Sequence, residues 1–249
     1  MRNGGDRRFK AESGSSLRPL RKMFDRVPRR YDRVNRLITW GLDRRWRKAA
    51  AKRCLDPGPE TVLDLGCGTG DLALQLGRDA GQKTVVMGLD FSRPMLKAAV
   101  RKAQQKNMNT GPAWIQGDVR ELPFADNSID CAGIAFAFRN LIYKNPYRDI
   151  YLNEICRVLK PGGRFVIVES SQPKNPVVRL LFRGYVRVFV NTAGRLVSRD
   201  RAAYRYLAGS VIRFYNSDEA AALLKKAGFS RVHYRPLLMG AAGLHTAVK

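Results

Sequence analysis

"VLDLGCGTGD", residues 62–71, decides the architecture of this chain. Val62, Leu63 and Leu65 make a short β-rich run. Gly66, Gly68 and Gly70 follow as a G-x-G-x-G turn, and helical spacing resumes at Asp71. The stretch therefore reads as strand, glycine turn and helix start. Glycines at these places permit positive φ and let a ligand approach the backbone closely. A dinucleotide fingerprint would have its third glycine at position 71, where Asp71 stands, so the spacing favours a different ligand. Asp64, at the end of the strand, would repel a pyrophosphate and suits a cationic or ammonium-bearing ligand.

Working outward, strand and helix signals alternate. Strand-like runs occur at 61–66, 84–90, 113–117, 129–138 and 164–170, the fourth being almost continuously apolar, as in a strand covered on both faces. Helical spacing fills the gaps. Ser92 is the expected N-cap of the second helix, with Pro94 in its first turn. Tyr151, Ile155, Val158 and Leu159 share one face of a later helix, and Pro161-Gly162-Gly163 is expected to stop it. A last helix, capped by Ser217 and ended by Gly228, precedes two closing strands, "RVHYRP" and "GLHTAVK", expected as a hairpin. The expected fold is α/β, a doubly wound, mostly parallel seven-stranded sheet. Residues 1–18 are expected to be a disordered basic tail and 19–249 a single domain, with N-terminal helices over 19–55 and a helical insertion over 171–213.

Ligands of such sheets bind at the carboxyl ends of the strands. Asp90 ends the second strand, 20 residues past Gly70, where a carboxylate accepts both hydroxyls of a ribose. Asp118, after the third strand, is placed for the edge of an adenine. Turn formation alone accounts for one glycine loop, but not for carboxylates at three successive strand ends.

The charge is unusual. Lys and Arg number 46 against 21 Asp and Glu, a net +25. Residues 1–53 carry 18 basic and 5 acidic side chains, and residues 171–213 carry 9 and 1, whereas 54–170 are nearly balanced. Two cationic blocks point to one face meeting nucleic acid or anionic lipid, a solvated basic surface being the plainer alternative. Four cysteines without C-x-x-C spacing and only two histidines argue against a zinc site or a disulfide frame and fit a reducing compartment. No metal is expected. Nothing approaches the roughly 20 apolar residues of a membrane span, and the N-terminus lacks the apolar run of a secretory signal.

The D-x-G-x-G-x-G pattern of residues 64–70 and "VLKPGGRFVIVE" (158–169) resemble the class I S-adenosylmethionine-dependent methyltransferases, which have a Rossmann-like fold. Longer stretches narrow the likeness. "MFDRVPRRYDRVNRLITWGLDRRWRK" (23–48), "GDVRELPFADNSID" (117–130), "AFAFRN" (135–140), "YRYLAGSVIRF" (204–214) and "AGFSRVHYRPLLMGAAGLH" (227–245) resemble the ubiquinone/menaquinone biosynthesis C-methyltransferase family from about Met23 to His245. The resemblance implies S-adenosyl-L-methionine as cofactor. Asp64, Gly66, Gly68, Thr69 and Gly70 would lie at its methionine part, Asp90 at the ribose, and Asp118 and Val119 at the adenine. It also implies a polyprenylated quinol as acceptor, demethylmenaquinol or a ubiquinone-pathway benzoquinol. Arg139 would then stabilise the phenolate, Asn140 orient it and Tyr31 relay its proton, with His245 a second candidate base.

An acceptor of that kind lives in a bilayer. In "VVRLLFRGYVRVFV" (177–190), Arg179, Arg183 and Arg187 recur every fourth residue among bulky apolar side chains. As a helix this segment suits an anionic membrane interface, with its arginine heads at the phosphates, or the interface of a homodimer. The expectation is a cytoplasmic protein peripherally attached to membrane, its helical insertion serving as an acceptor-side lid. RNA methylation is the rival reading of the charge, and "NPY" (145–147) is similar to part of a base-methylating motif. Without an aromatic-rich basic strand, a nucleic-acid partner is not expected. Methylation of another lipid or phenol is a further alternative.

Overall fold

The computed structural model describes residues 28–108, 111–190 and 208–249. The expected tail at 1–18 and the interior of the helical insertion, 191–207, lie outside the described residues. Helices α1 (Pro28–Ile38) and α2 (Leu42–Leu55) come first. There follow β1 (Thr61–Leu65), α3 (Asp71–Asp79), β2 (Val85–Asp90), α4 (Arg93–Gln105), β3 (Ala113–Gln116), β4 (Ile129–Ala135), α5 (Phe138–Ile142) and α6 (Arg148–Val158). After β5 (Leu159–Ser170) come α7 (Pro176–Tyr185), a π-helical turn (Val186–Val190), α8 (Ser217–Lys226), β6 (Arg231–Leu237) and β7 (Ala242–Val248).

The seven strands form one sheet in the order β3-β2-β1-β4-β5-β7-β6. Neighbours from β3 to β5 are parallel, and β7 runs antiparallel to both β5 and β6. The last two strands are the expected hairpin. The chain leaves β1 toward β2 and β3, then returns to the other side of β1 as β4. That reversal opens a crevice at the carboxyl ends of β1 and β4, where the glycine turn lies.

Side chains alternate across the sheet with period two. Val62, Val86, Cys131 and Val166 pack with Ala50, Ala51 and Cys54 of α2 and Leu72 and Leu76 of α3. Leu63, Leu65, Ile134 and Phe165 pack on the opposite face with Phe138 of α5, Leu152 and Ile155 of α6 and Leu224 of α8. Coverage on both faces explains the nearly unbroken apolar run of β4.

Three boundaries differ from the sequence expectation. Strand β4 stops at Ala135, because Phe136 turns to φ +59 and the chain enters α5 at Phe138. Pro161-Gly162-Gly163 does not end α6. That helix stops at Val158, and β5 begins at Leu159, pairing with Ile129 before the register shifts to Cys131↔Arg164. The proline and glycines sit in that irregularity, with Gly162 at φ +76. The cap of α8 is Asn216, not Ser217: its side chain accepts from the Asp218 and Glu219 N–H groups, and Glu219 answers to the Asn216 N–H at 2.8 Å.

Candidate active site

The glycine turn adopts the backbone its residues allow. Gly66, Gly68 and Gly70 have φ +58, +54 and +83. A Cβ at Gly70 would lie 2.6 Å from the Trp114 ring and 2.9 Å from the Ala99 Cβ, so glycine is required there for packing. At Gly68 a Cβ would meet nothing within 4 Å, and that open flank is the approach a ligand needs. Asp90, buried at the end of β2, accepts from the Gly68 N–H and the Ser92 N–H, each at 2.8 Å. Open backbone at Gly68 beside the Asp90 carboxylate fits the ribose and methionine portions of S-adenosyl-L-methionine.

Other predicted cofactor residues differ in detail. Asp64 is buried and accepts from the Ala73 N–H at 2.9 Å. Burial pushes its carboxyl up to about 8, so near neutral pH it is largely protonated and does not supply the negative charge the sequence implied. Thr69 is turned toward α1, its hydroxyl donating to Asp32 at 2.6 Å and accepting from Lys102 Nζ at 2.9 Å. Lys102 also pairs with Asp32 at 2.6 Å and Asp71 at 2.7 Å, tying α1, α3 and α4 around the loop. Burial alone would raise the Asp71 carboxyl, but Lys102 and Arg47 outweigh it and hold it below its ordinary range. Asp118 pairs with Arg120 at 2.8 Å, and Val119 is buried in the core beside it.

Helices α1 and α2 link this loop to a cavity of about 480 Å³: Asp32 holds Thr69 one turn before Asn35, which lines the cavity, and Arg47 lies 3.9 Å from Asp71 one turn after Asp43, which also lines it. Its walls are mostly aromatic and aliphatic: Trp40, Trp46, Phe136, Leu181, Phe182 and Tyr185 come from α1–α2, the end of β4 and α7. Polar groups reach it in two places. Asn35, Thr39 and Asp43 come from α1, the turn after it and α2, and Arg139 and Ser170 from α5 and the end of β5. The two basic blocks of the sequence meet here. Trp40 Nε1 donates to the Tyr185 hydroxyl at 2.9 Å, that hydroxyl donates to the Ile38 carbonyl at 2.6 Å, and Phe189 stacks on both rings.

The resemblance implies that Arg139 stabilises the phenolate of the acceptor. It is buried and paired. Its Nη1 lies 2.7 Å from Glu169 and 3.1 Å from the Ser170 hydroxyl, and its Nε donates to Ser210 at 3.0 Å. Asn140 is beside it in α5, but is not among the cavity's lining residues, and its buried Oδ1 has no hydrogen-bond partner among the described residues. His245 does not reach the cavity. Its side chain, on β7, contacts the Tyr234 ring at 4.8 Å and the Ser217 backbone, and burial lowers its pKa to about 4. Tyr31 belongs to α1, and its side chain lies outside the described residues. Asn145 of "NPY" accepts from the Tyr147 N–H and donates to the Asn140 carbonyl, which makes that stretch a turn leading into α6.

Sequence reasoning missed Glu169, Ser210, Lys102 and the Asp43–Arg47 pair. Asp43 and Arg47 carried a local signal, opposite charges four apart on a helix. Glu169 and Arg139 carried none, being 30 residues apart.

Residues 11–249 match the ubiE/COQ5 methyltransferase family. A ubiquinone/menaquinone biosynthesis C-methyltransferase UbiE of Syntrophotalea carbinolica is 40% identical, with 95% of each chain covered. A demethylmenaquinone methyltransferase of Thermus thermophilus is 39% identical over 90% of this chain and 98% of its own. Among solved structures, a SAM-dependent methyltransferase from Thermotoga maritima, titled a possible histamine N-methyltransferase, superposes with TM-score 0.59 at 21% identity, covering 92% of this chain and 99% of that one. At that identity the likeness concerns the fold.

Proposed function

The chain belongs to the ubiE/COQ5 methyltransferase family, and from that premise we propose how its residues divide the methylation of a quinol ring. It is an S-adenosyl-L-methionine-dependent C-methyltransferase of quinone biosynthesis. The acceptor is a polyprenylated quinol, demethylmenaquinol or the ubiquinone-pathway benzoquinol. The observation that carries this reading is the 480 Å³ apolar cavity linked to the glycine turn through α1 and α2, with polar groups at two places on its wall. A flat aromatic 1,4-diol needs such a container: apolar walls for the ring and separate polar contacts for its hydroxyls.

The cofactor supplies an electrophilic methyl group on a positively charged sulfur. The protein's part is to hold and to orient. The backbone at Gly66, Gly68 and Gly70 and the Thr69 peptide cradle the methionine portion, Asp90 accepts from the ribose, and the Asp118–Val119 segment borders the adenine. Asp64 fixes the start of α3 through the Ala73 N–H. Arg139, held by Glu169, donates to the oxygen that becomes negative as the ring carbon attacks, while Asn140 sets the α5 turn beside it. Tyr31 contributes from α1. By restricting the ring to one face of the cavity, these residues would supply the alignment that methyl transfer from the bound cofactor requires.

The cavity opens to an apolar rim that docks on anionic membrane. Helix α7 has no fully buried residue. Val178, Phe182 and Tyr185 face the cavity, whereas Val177, Leu180 and Val188 are 64%, 72% and 70% exposed. Arg179 and Arg183 are half-buried along the other flank, so the most open stripe of the helix is apolar and the arginines border it. Trp40 and Met239, each 74% exposed, continue this patch across the cavity mouth. Apolar side chains bordered by arginines suit the headgroup boundary of a bilayer. Among the described residues no helix is long and apolar enough to cross a membrane, so attachment is peripheral. Helix α7 and α1–α2 thereby form the acceptor-side cover.

The test is turnover. Purified protein with S-adenosyl-L-methionine and a reduced short-prenyl demethylmenaquinol, or the corresponding benzoquinol, under anaerobic conditions should give a product heavier by one methylene. No product from either quinol overturns the reading.

A further inference from the structure

We propose that Asp43 is the catalytic carboxylate of the acceptor site: it accepts the hydrogen bond of the ring hydroxyl next to the methylated carbon and takes its proton. This rests on the quinol-methylating reading above.

Four observations converge on Asp43. It is the one acidic side chain among the described residues lining the cavity, in walls otherwise mostly apolar. It is 2% exposed, and a carboxylate is not put in such a place without partners. Its partners hold it rather than use it up: Thr39 Oγ1 donates to Oδ1 at 3.1 Å and Arg47 pairs with Oδ2, leaving lone pairs on both oxygens. Finally, it adjoins the methyl-donor side. Arg47 lies 3.9 Å from Asp71, the residue after Gly70, and its guanidinium stacks over Phe136 at 5.1 Å. Asp43 is thus connected through one side chain to the end of the glycine turn.

The other polar groups of the cavity do not do this work. A guanidinium does not take protons, so Arg139 stabilises charge without removing a proton. His245 is not among the lining residues. A carboxylate is a weak base toward a resting phenol, but the hydroxyl becomes far more acidic as its ring carbon attacks. The ring supplies the electron pair of the new C–C bond, the methyl–sulfur bond breaks with its pair going to sulfur, and positive charge would accumulate on the hydroxyl oxygen. Passing that proton to Asp43 leaves a neutral dienone. The dienone regains aromaticity when its ring C–H proton is lost and the keto oxygen takes a proton back. One proton leaves to solvent per methyl transferred.

The experiment compares the wild type with Asp43→Asn and Thr39→Val, using S-adenosyl-L-methionine and a reduced short-prenyl demethylmenaquinol. Asp43→Asn keeps shape and a hydrogen-bonding oxygen but cannot take the proton. Its kcat should fall roughly a hundredfold or more, while KM and the quenching of tryptophan fluorescence by the quinol, reported by Trp46 in the cavity wall, change by only a few-fold. Thr39→Val removes the hydroxyl that holds Oδ1 and should lower kcat severalfold with KM little changed. Arg47, Asp71, the Lys102–Asp32 pair and the Arg139–Glu169 pair are the charged groups around this site, and all are retained in both variants. An Asp43→Asn enzyme within about threefold of wild-type kcat overturns the proposal. So does loss of cofactor and quinol binding together with a lowered melting temperature, which marks Asp43 as structural. A wild type without turnover fails the quinol reading itself and is thereby distinguished from failure at Asp43.

Discussion

Glu169 holds Arg139 by two separate groups. One carboxylate oxygen accepts from the guanidinium at 2.7 Å and the other from the Arg139 backbone N–H at 3.0 Å. Both residues are nearly inaccessible, at 2% and 4% exposure. Because β4 and β5 are adjacent parallel strands, α5, which follows β4 directly, brings Arg139 beside Glu169 at the end of β5. Truncating one member of a buried ion pair strands the other charge, so Glu169→Ala should lower the free energy of unfolding by about 3–5 kcal/mol. Urea unfolding followed by circular dichroism measures it, and a loss below 1 kcal/mol would show the pair to be dispensable.

Arg139→Ala should reduce turnover far more than cofactor affinity. The guanidinium lines the cavity proposed for the acceptor, whereas the open backbone at Gly68 and the Asp90 carboxylate are the groups proposed for the donor. Steady-state kinetics beside calorimetric titration with S-adenosyl-L-methionine separates the two effects, and equal losses would remove the role assigned to Arg139.

Val177→Glu and Leu180→Glu place charge on the open stripe of α7 without touching the cavity wall. Sedimentation with anionic vesicles should drop severalfold, and binding of the wild type should weaken as salt is raised. Equal sedimentation with neutral and anionic vesicles would contradict membrane docking. A concentration-dependent dimer abolished by the same changes would assign this stripe to a second copy of the chain.

His245 makes stability depend on pH in a defined window. Its pKa falls from the ordinary 6.5 to about 4 in the folded protein. Between those values the unfolded chain binds more protons, so stability is full above about pH 6.5 and drains away as pH falls toward 4, by roughly 3 kcal/mol in all. His245→Leu should flatten this part of the profile measured by urea unfolding, and leave turnover within a few-fold because the ring is not among the cavity's lining residues. Collapse of turnover in that variant would restore His245 as a base.

The first three strands were legible because each is a short run closed by glycine or aspartate, and a parallel sheet covered on both faces leaves few other solutions for the apolar run of β4. The glycine turn was legible for the same local reason. Boundaries failed where two residues offered the same chemistry. Asn216 and Ser217 both cap helices, but only Asn216 has a glutamate three positions on. Pro161-Gly162-Gly163 has the composition of a helix stop, yet β4 offers pairing partners on both sides of it. The acceptor site was legible by residue type and not by state. Arg139 was visible as a cation near a strand end, whereas its neutralisation by Glu169 depends on two strands lying side by side, which spacing along the chain does not encode. Asp64 shows the converse: a carboxylate read as a charge is largely uncharged once the core closes over it.

Helix α1 has one further consequence. Asp32 reaches back to Thr69 and Lys102 at the glycine turn, and Asn35, three positions on, lines the acceptor cavity. A single turn of backbone is therefore common property of the glycine turn and the cavity wall, so a substitution that shifts α1 disturbs both at once.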